Sequence, residues 1–174
     1  DLTGQVRPLI AERRRISRKY LDGALFSLDK LWRPAERLAL MLGLENRNTL
    51  REVPDAEELE LIFQRFDGAP IGYWHDTGHA AAQELLYGIE HEAQLSRFAG
   101  RLVGVHLHDA KAGNDHKAPG MGEIDFGMVK KYVPLSVPRV VEVHSGINVE
   151  EMREGIQFLK ERQLVEDSEL RHRD

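Results

Sequence analysis

The chain has 174 residues, 41% hydrophobic and 30% charged, with 24 basic and 29 acidic side chains for a formal charge of −5. That length bounds it to one ordinary domain, and that apolar content buries a core, which excludes a disordered or fibrous chain. With no cysteine it has neither a disulfide framework nor a thiolate-ligated metal, and its redox compartment is left open.

The chain opens on Asp1-Leu2-Thr3-Gly4, with neither a charged-then-apolar leader nor an initiator methionine, as expected of a processed terminus or a fragment edge. Residues 1–38 read as helix, with Arg13-Arg14-Arg15 and Arg18-Lys19 expected on a solvated face. A short apolar run at 40–45 predicts a strand, and 55–66 a helix that opens after Pro54 with Glu57 and Glu58 in its first turn. A strand follows at 71–76, then helices at 80–87 and 89–99, the second closed by Gly100. Strands at 102–107 and 139–144 flank a helix at 126–133, and a helix at 149–163 ends the pattern. The expected organisation is a single domain over 1–174: a helical segment at 1–38, β/α units at 39–165 and a frayed tail at 166–174. Strands alternating with helices predict an α/β fold with parallel pairing and right-handed crossovers.

Side chains alternate along a strand, so parity says which residues share a face. Gly43 lies with Glu45, Gly72 with Trp74 and Asp76, Gly104 with His106 and His108, and Val140 with Glu142 and His144. Glycines beneath polar strand ends suit a crowded inner face, while Leu42, Leu44, Val103, Val105, Leu107, Val141 and Val143 pack on helices. Polar groups at C-terminal strand ends occupy the edge where parallel α/β folds collect ligands. Glu45, Asp76, His106 and Glu142 each end a different strand and point into one mouth. Any one of them alone would read as a polar group bonded to a nearby loop. Three carboxylates and an imidazole together repel one another unless a cation joins them. A divalent metal is therefore expected, and this ligand set is compatible with manganese, magnesium, cobalt or zinc.

Five segments carry a resemblance: Leu44-Glu45-Asn46-Arg47, His75-Asp76-Thr77-Gly78-His79-Ala80, Val105-His106-Leu107-His108-Asp109, His116 through Phe126, and Val141-Glu142-Val143-His144. In order and spacing the chain from about 38 to about 160 resembles the xylose-isomerase-like TIM-barrel superfamily. That superfamily holds sugar and sugar-phosphate isomerases and epimerases together with a class of apurinic-site endonucleases. The resemblance implies that Glu45, Asp76, His106 and Glu142 are the shared metal ligands. It implies that Glu45 and Glu142 move a proton through a metal-stabilised enediolate, in isomerisation or epimerisation. His79, in an Asp-x-x-His arrangement with Asp76, is matched to a residue that touches substrate in the isomerases or a further metal in the nucleases; His116 is matched to the histidine before the Pro-Gly-x-Gly loop, expected with His79 to hold sugar hydroxyls or a phosphate, and Lys117 adds positive charge near an anionic group. The nuclease branch has an aspartate two residues before the second histidine, where this chain has Asn114. That departure and the acidic net charge favour a single-metal sugar enzyme over the nuclease.

The remaining polar residues take plainer readings. His108, His144 and Asp109 are expected to orient the ligands or cap loops, His75 to be structural, His91 to be solvated, and Trp74 to sit in the barrel core. Pro119-Gly120-Met121-Gly122 is either a plain turn or a loop able to approach the ligand or move as a lid. A closed (β/α)8 barrel takes eight strands and about 250 residues. Four β/α units make half of one, and the resemblance is to the C-terminal half-barrel with the helix before it. The expected situations are a fragment, a pair of half-barrels, or a complex with a separate N-terminal half-barrel; a metal-binding half-barrel without activity is the non-enzymatic alternative. A small sugar or sugar phosphate is the expected partner, nucleic acid is disfavoured, and no run approaches the about 20 apolar residues of a membrane span, so a cytoplasmic location is expected.

Overall fold

The computed structural model describes residues 2–166, with side chains from residue 8 onward. The tail read as frayed lies almost wholly outside the described residues.

A long helix α1 (Leu2–Arg37) leads into β1 (Leu42–Glu45), and α2 (Ala56–Arg65) returns the chain to β2 (Ile71–Asp76). Helices α3 (Thr77–Tyr87) and α4 (His91–Phe98) follow, and a single 3-10 turn at Ala99–Arg101 feeds β3 (Leu102–Leu107). A short antiparallel hairpin, β4 (Asp109–Lys111) and β5 (Asn114–Lys117), precedes α5 (Phe126–Tyr132), β6 (Arg139–Val141) and α6 (Val149–Glu161). The main sheet is parallel in the order β1-β2-β3-β6. Among the described elements no helix is long and apolar enough to cross a membrane.

Local chemistry starts the helices. Asp55 caps α2 by accepting the Glu58 N–H while the Glu58 side chain takes the Asp55 N–H, and Asn148 with Glu151 repeats the arrangement on α6. Asp125 caps α5 and Gly88 closes α3 at φ 67. The outer sheet face buries Tyr73, Val105 and Leu107 against Leu59, Ile62 and Phe63 of α2, Leu95 and Phe98 of α4, Val129 of α5 and Leu159 of α6.

On the inner face the glycines have a specific reason. Trp74 lays its indole across the neighbouring strands, so that a Cβ at Gly43 would meet the ring at 2.9 Å and one at Gly104 would overlap it. Trp74 in turn stands edge-on to His106, with ring centroids 5.1 Å apart.

Several expectations need correction. Helix α3 begins at Thr77, three residues before the expected start, because Asp76 ends the strand and caps the helix at once by accepting the His79 N–H. Strand β1 starts two residues late, and β6 ends at Val141, before Glu142 and His144. Glu142 still donates its N–H to the Leu107 carbonyl at 3.4 Å, which keeps it in strand register one residue past the end. The hairpin went unforeseen: its Ala112-Gly113 turn has φ 50 and 81, the geometry of a two-residue primed turn, hidden in a polar stretch without apolar alternation. His91 is buried rather than solvated, and its Nε2 lies 2.9 Å from His75 Nε2, whose Nδ1 meets the Tyr73 hydroxyl at 2.8 Å. Arg13, expected on a solvated face, is 5% exposed and grips Glu58 at 2.6 Å, Asp55 at 2.7 Å and two loop carbonyls, Leu50 and Glu52. Pro119-Gly120-Met121-Gly122 is a strapped turn: Asp109 accepts the Gly120 and Ile124 N–H groups, and Gly120 sits at φ 89 against Phe158.

Candidate metal centre

Parallel register sets the mouth. Glu45 lies opposite Trp74, Asp76 opposite His106, and Leu107 opposite Val141, so the next inward groups after β6 fall beside those of β3. His106 stands at the centre: its Nδ1 is 2.7 Å from Glu45 Oε1, 2.9 Å from Glu142 Oε2 and 3.4 Å from Asp76 Oδ2. One ligand atom from each of the four lies within 4.8 Å of the others. Asp76 has no exposure, Glu45 and His106 are about three-quarters buried, and Glu142 is 43% exposed toward the mouth.

Electrostatics follow from this crowding. The hydrogen bond to Asp76 first, then those to Glu45 and the charge of Glu142, outweigh burial and raise the His106 imidazole to about 9. Burial would raise the Asp76 carboxyl, yet hydrogen bonds from His106 and His108 hold it well below the usual carboxylate range. A single imidazolium thus faces three carboxylates. Three oxygen donors and one imidazole nitrogen around one point are the donor set of a hard or borderline divalent cation, so the residues present fit such an ion.

The surrounding residues hold these groups in place. Asn46, 3% exposed, clamps the backbone of Asp76: its Oδ1 accepts the Asp76 N–H at 2.7 Å and its Nδ2 donates to the Asp76 carbonyl at 3.0 Å. Arg47 reaches Glu45 Oε2 and Glu52 Oε1, both at 3.0 Å, and so leaves Glu45 Oε1 facing inward. The His116 N–H donates to His108 Nδ1 at 2.7 Å, which fixes the His108 proton on Nε2, pointed at Asp76 at 2.8 Å. Gly78 allows this approach, because a Cβ there would overlap the His108 ring.

His79 donates from Nδ1 to the Asn46 carbonyl at 2.9 Å, which leaves Nε2 as an acceptor. His116 sits on β5 at φ 56, with Nε2 3.8 Å from Glu142 Oε1 and its ring 5.8 Å from that of His79. The two histidines therefore flank the same mouth. Lys117 ends β5, paired with Asp109 in the hairpin, and its side chain forms no hydrogen bond or ion pair among the described residues. Asn46 and Arg47 received no role from sequence reasoning, although they stand in the Leu44–Arg47 segment that carries the resemblance.

A family model described as xylose isomerase-like TIM barrel matches residues 6–162. No curated protein matches the chain. Among solved structures, a D-tagatose 3-epimerase-like protein is 25% identical with a TM-score of 0.64, over 83% of this chain and 54% of its own. A D-allulose 3-epimerase from Methylomonas sp. is 16% identical with a TM-score of 0.65, over 84% and 57%. A 3-keto-D-glucoside 4-epimerase from E. coli is 18% identical with a TM-score of 0.61, over 81% and 55%. At these lower identities the likeness is one of fold. The chain spans about half the length of the structures it matches.

Proposed function

The chain belongs to the xylose isomerase-like TIM-barrel family, and from that premise we propose that it carries the metal-binding half of a sugar or sugar-phosphate isomerase or epimerase. The observation that supports this most directly is the meeting of Glu45, Asp76 and Glu142 around His106 Nδ1 at the ends of successive parallel strands. These four residues hold the divalent ion. When bound, the ion supplies positive charge against the oxygen atoms that become negative as a C–H next to a carbonyl loses its proton.

The protein groups do the rest. Glu45 and Glu142 approach His106 Nδ1 through different oxygens from strands at opposite edges of the sheet, so they address a small ligand from two sides. One carboxylate takes the proton and the other returns it, at the neighbouring carbon in an isomerisation or on the opposite face in an epimerisation. Arg47 keeps Glu45 aimed inward, and the Nε2 atoms of His79 and His116 are left to bind hydroxyls at the rim. Lys117, with no partner of its own among the described residues, is assigned to the anionic end of a sugar phosphate. Because the sheet ends at β1 and β6, we propose that further strands close the barrel in the active form, from a second copy or an N-terminal half-barrel.

The test is proton exchange. With manganese present, D-tagatose, D-allulose or their phosphates in deuterium oxide should acquire deuterium beside the carbonyl, read by proton NMR, and Glu142→Gln should abolish the exchange. Cleavage of abasic-site DNA without any exchange into ketoses would replace this reading with the nuclease one.

A further inference from the structure

We propose a second divalent-cation site, of zinc character, formed by Asp115, His116 and His144 where the β4–β5 hairpin meets the loop after β6. One ligand atom from each of these residues lies within 4.8 Å of the others. His116 Nδ1 is buried and has no hydrogen-bond partner, although it stands 3.1 Å from Asp115 Oδ1. A buried imidazole nitrogen in ion-pair range of a carboxylate oxygen, but without hydrogen-bond geometry to it, is placed to share a cation with that oxygen. Nitrogen and oxygen ligands at tetrahedral angles on one zinc ion are separated by about 3.3 Å, close to what is seen.

The backbone supports the same reading. His116 holds a left-handed φ of 56, which few non-glycine residues adopt, and this sets its ring between the two loops. The His144 N–H donates to the His116 carbonyl at 3.0 Å, tying the segments together and bringing the two rings to 4.8 Å at a 30° tilt. Asn48 takes the outer oxygen of Asp115 at 3.3 Å and leaves Oδ1 for an ion. His144 is exposed, so an ion has a path in and its imidazole turns toward the site without displacing the core. His108 cannot serve in place of His144, since both of its ring nitrogens are committed.

Two imidazoles and one carboxylate, with water completing the shell, select zinc or cobalt rather than magnesium. None of Glu45, Asp76, His106 or Glu142 is needed, and the one residue shared with the proposed function, His116, would use Nδ1 here and Nε2 at the rim. Its consequence for the mouth is positional: an ion on His116 Nδ1 leaves the ring proton on Nε2, the atom that faces Glu142, and pins the hairpin at the rim.

Zinc content after loading with zinc chloride and desalting tests the site in a Glu45→Ala/Glu142→Ala background, where the first centre is disabled. About one zinc ion per chain should remain there, and adding His144→Ala or Asp115→Asn should weaken its binding on the order of 100-fold. Circular dichroism checks that each variant is folded, and His144, being exposed, is the safer substitution. A folded background variant without zinc, or zinc that survives either substitution, would overturn the proposal.

Discussion

His91 shows how a single buried side chain ties stability to pH. Burial pushes its imidazole down to about 4 against weaker upward pulls from Asp76, Asp125 and Glu92, and burial drives the adjoining His75 in the same direction. Both contacts, Tyr73 hydroxyl to His75 Nδ1 and His75 Nε2 to His91 Nε2, are satisfied with each ring neutral, since one nitrogen donates and the other accepts across the pair. In the unfolded chain a histidine titrates near 6.5, so between that value and about 4 the unfolded state binds a proton that the folded state refuses. Stability should therefore fall as pH drops through this window, by about 3 kcal/mol from His91 alone. Urea unfolding at pH 7.5 and pH 4.5 reads the loss, and His91→Gln should flatten it; parallel wild-type and variant profiles would contradict the linkage. Parity along β2 already placed His75 away from the mouth, but nothing in the sequence brought His91 to it. That meeting depends on how α4 packs across the sheet, a long-range contact that helical periodicity does not encode.

At the scale of elements, the four parallel strands and their inward residues were legible because two signals coincide in each: a short apolar run and a polar residue at its C-terminal end. What stayed illegible was set by polar groups that do two jobs. Asp76 ends β2 and caps α3, which moves the helix start forward, and the hairpin lies in a run with no apolar alternation. Arg13 makes the same point for α1. Read as part of a charge run, it is in fact the clamp that joins α1 to the Asp55–Glu58 capping box and to the loop that carries Arg47 and Glu52. Removing it strands Glu58, 7% exposed, without its cation, and only Ser17 remains to bond it from α1. Arg13→Ala should cost about 3 kcal/mol of unfolding free energy by urea titration. A loss within experimental scatter would mean that α1 is held by its apolar contacts alone.

On the scale of the whole molecule, the sheet is open at both β1 and β6, and apolar side chains stand exposed near the first edge. Leu38, Leu40 and Met41 lead into β1 with more than half their surface accessible, and Leu9 and Tyr20 stand out from α1. Unpaired parallel strands beside exposed apolar surface favour association. The half-barrel should accordingly sediment as a dimer or larger species at micromolar concentration, and a monodisperse monomer that epimerises a sugar would contradict the need for further strands. The strand count and chain length made the four-stranded half-barrel legible from sequence.

The central claim, that Glu45, Asp76, His106 and Glu142 hold one divalent ion, is tested most directly by titrating the protein with manganese(II) and following free manganese by electron paramagnetic resonance. Manganese suits an oxygen-rich site and disfavours the histidine-rich one at the rim. The account predicts about one ion bound per chain, lost in Glu45→Ala/Glu142→Ala and kept in His144→Ala. A folded wild type that binds no manganese, or that binds it equally well without Glu45 and Glu142, would contradict it.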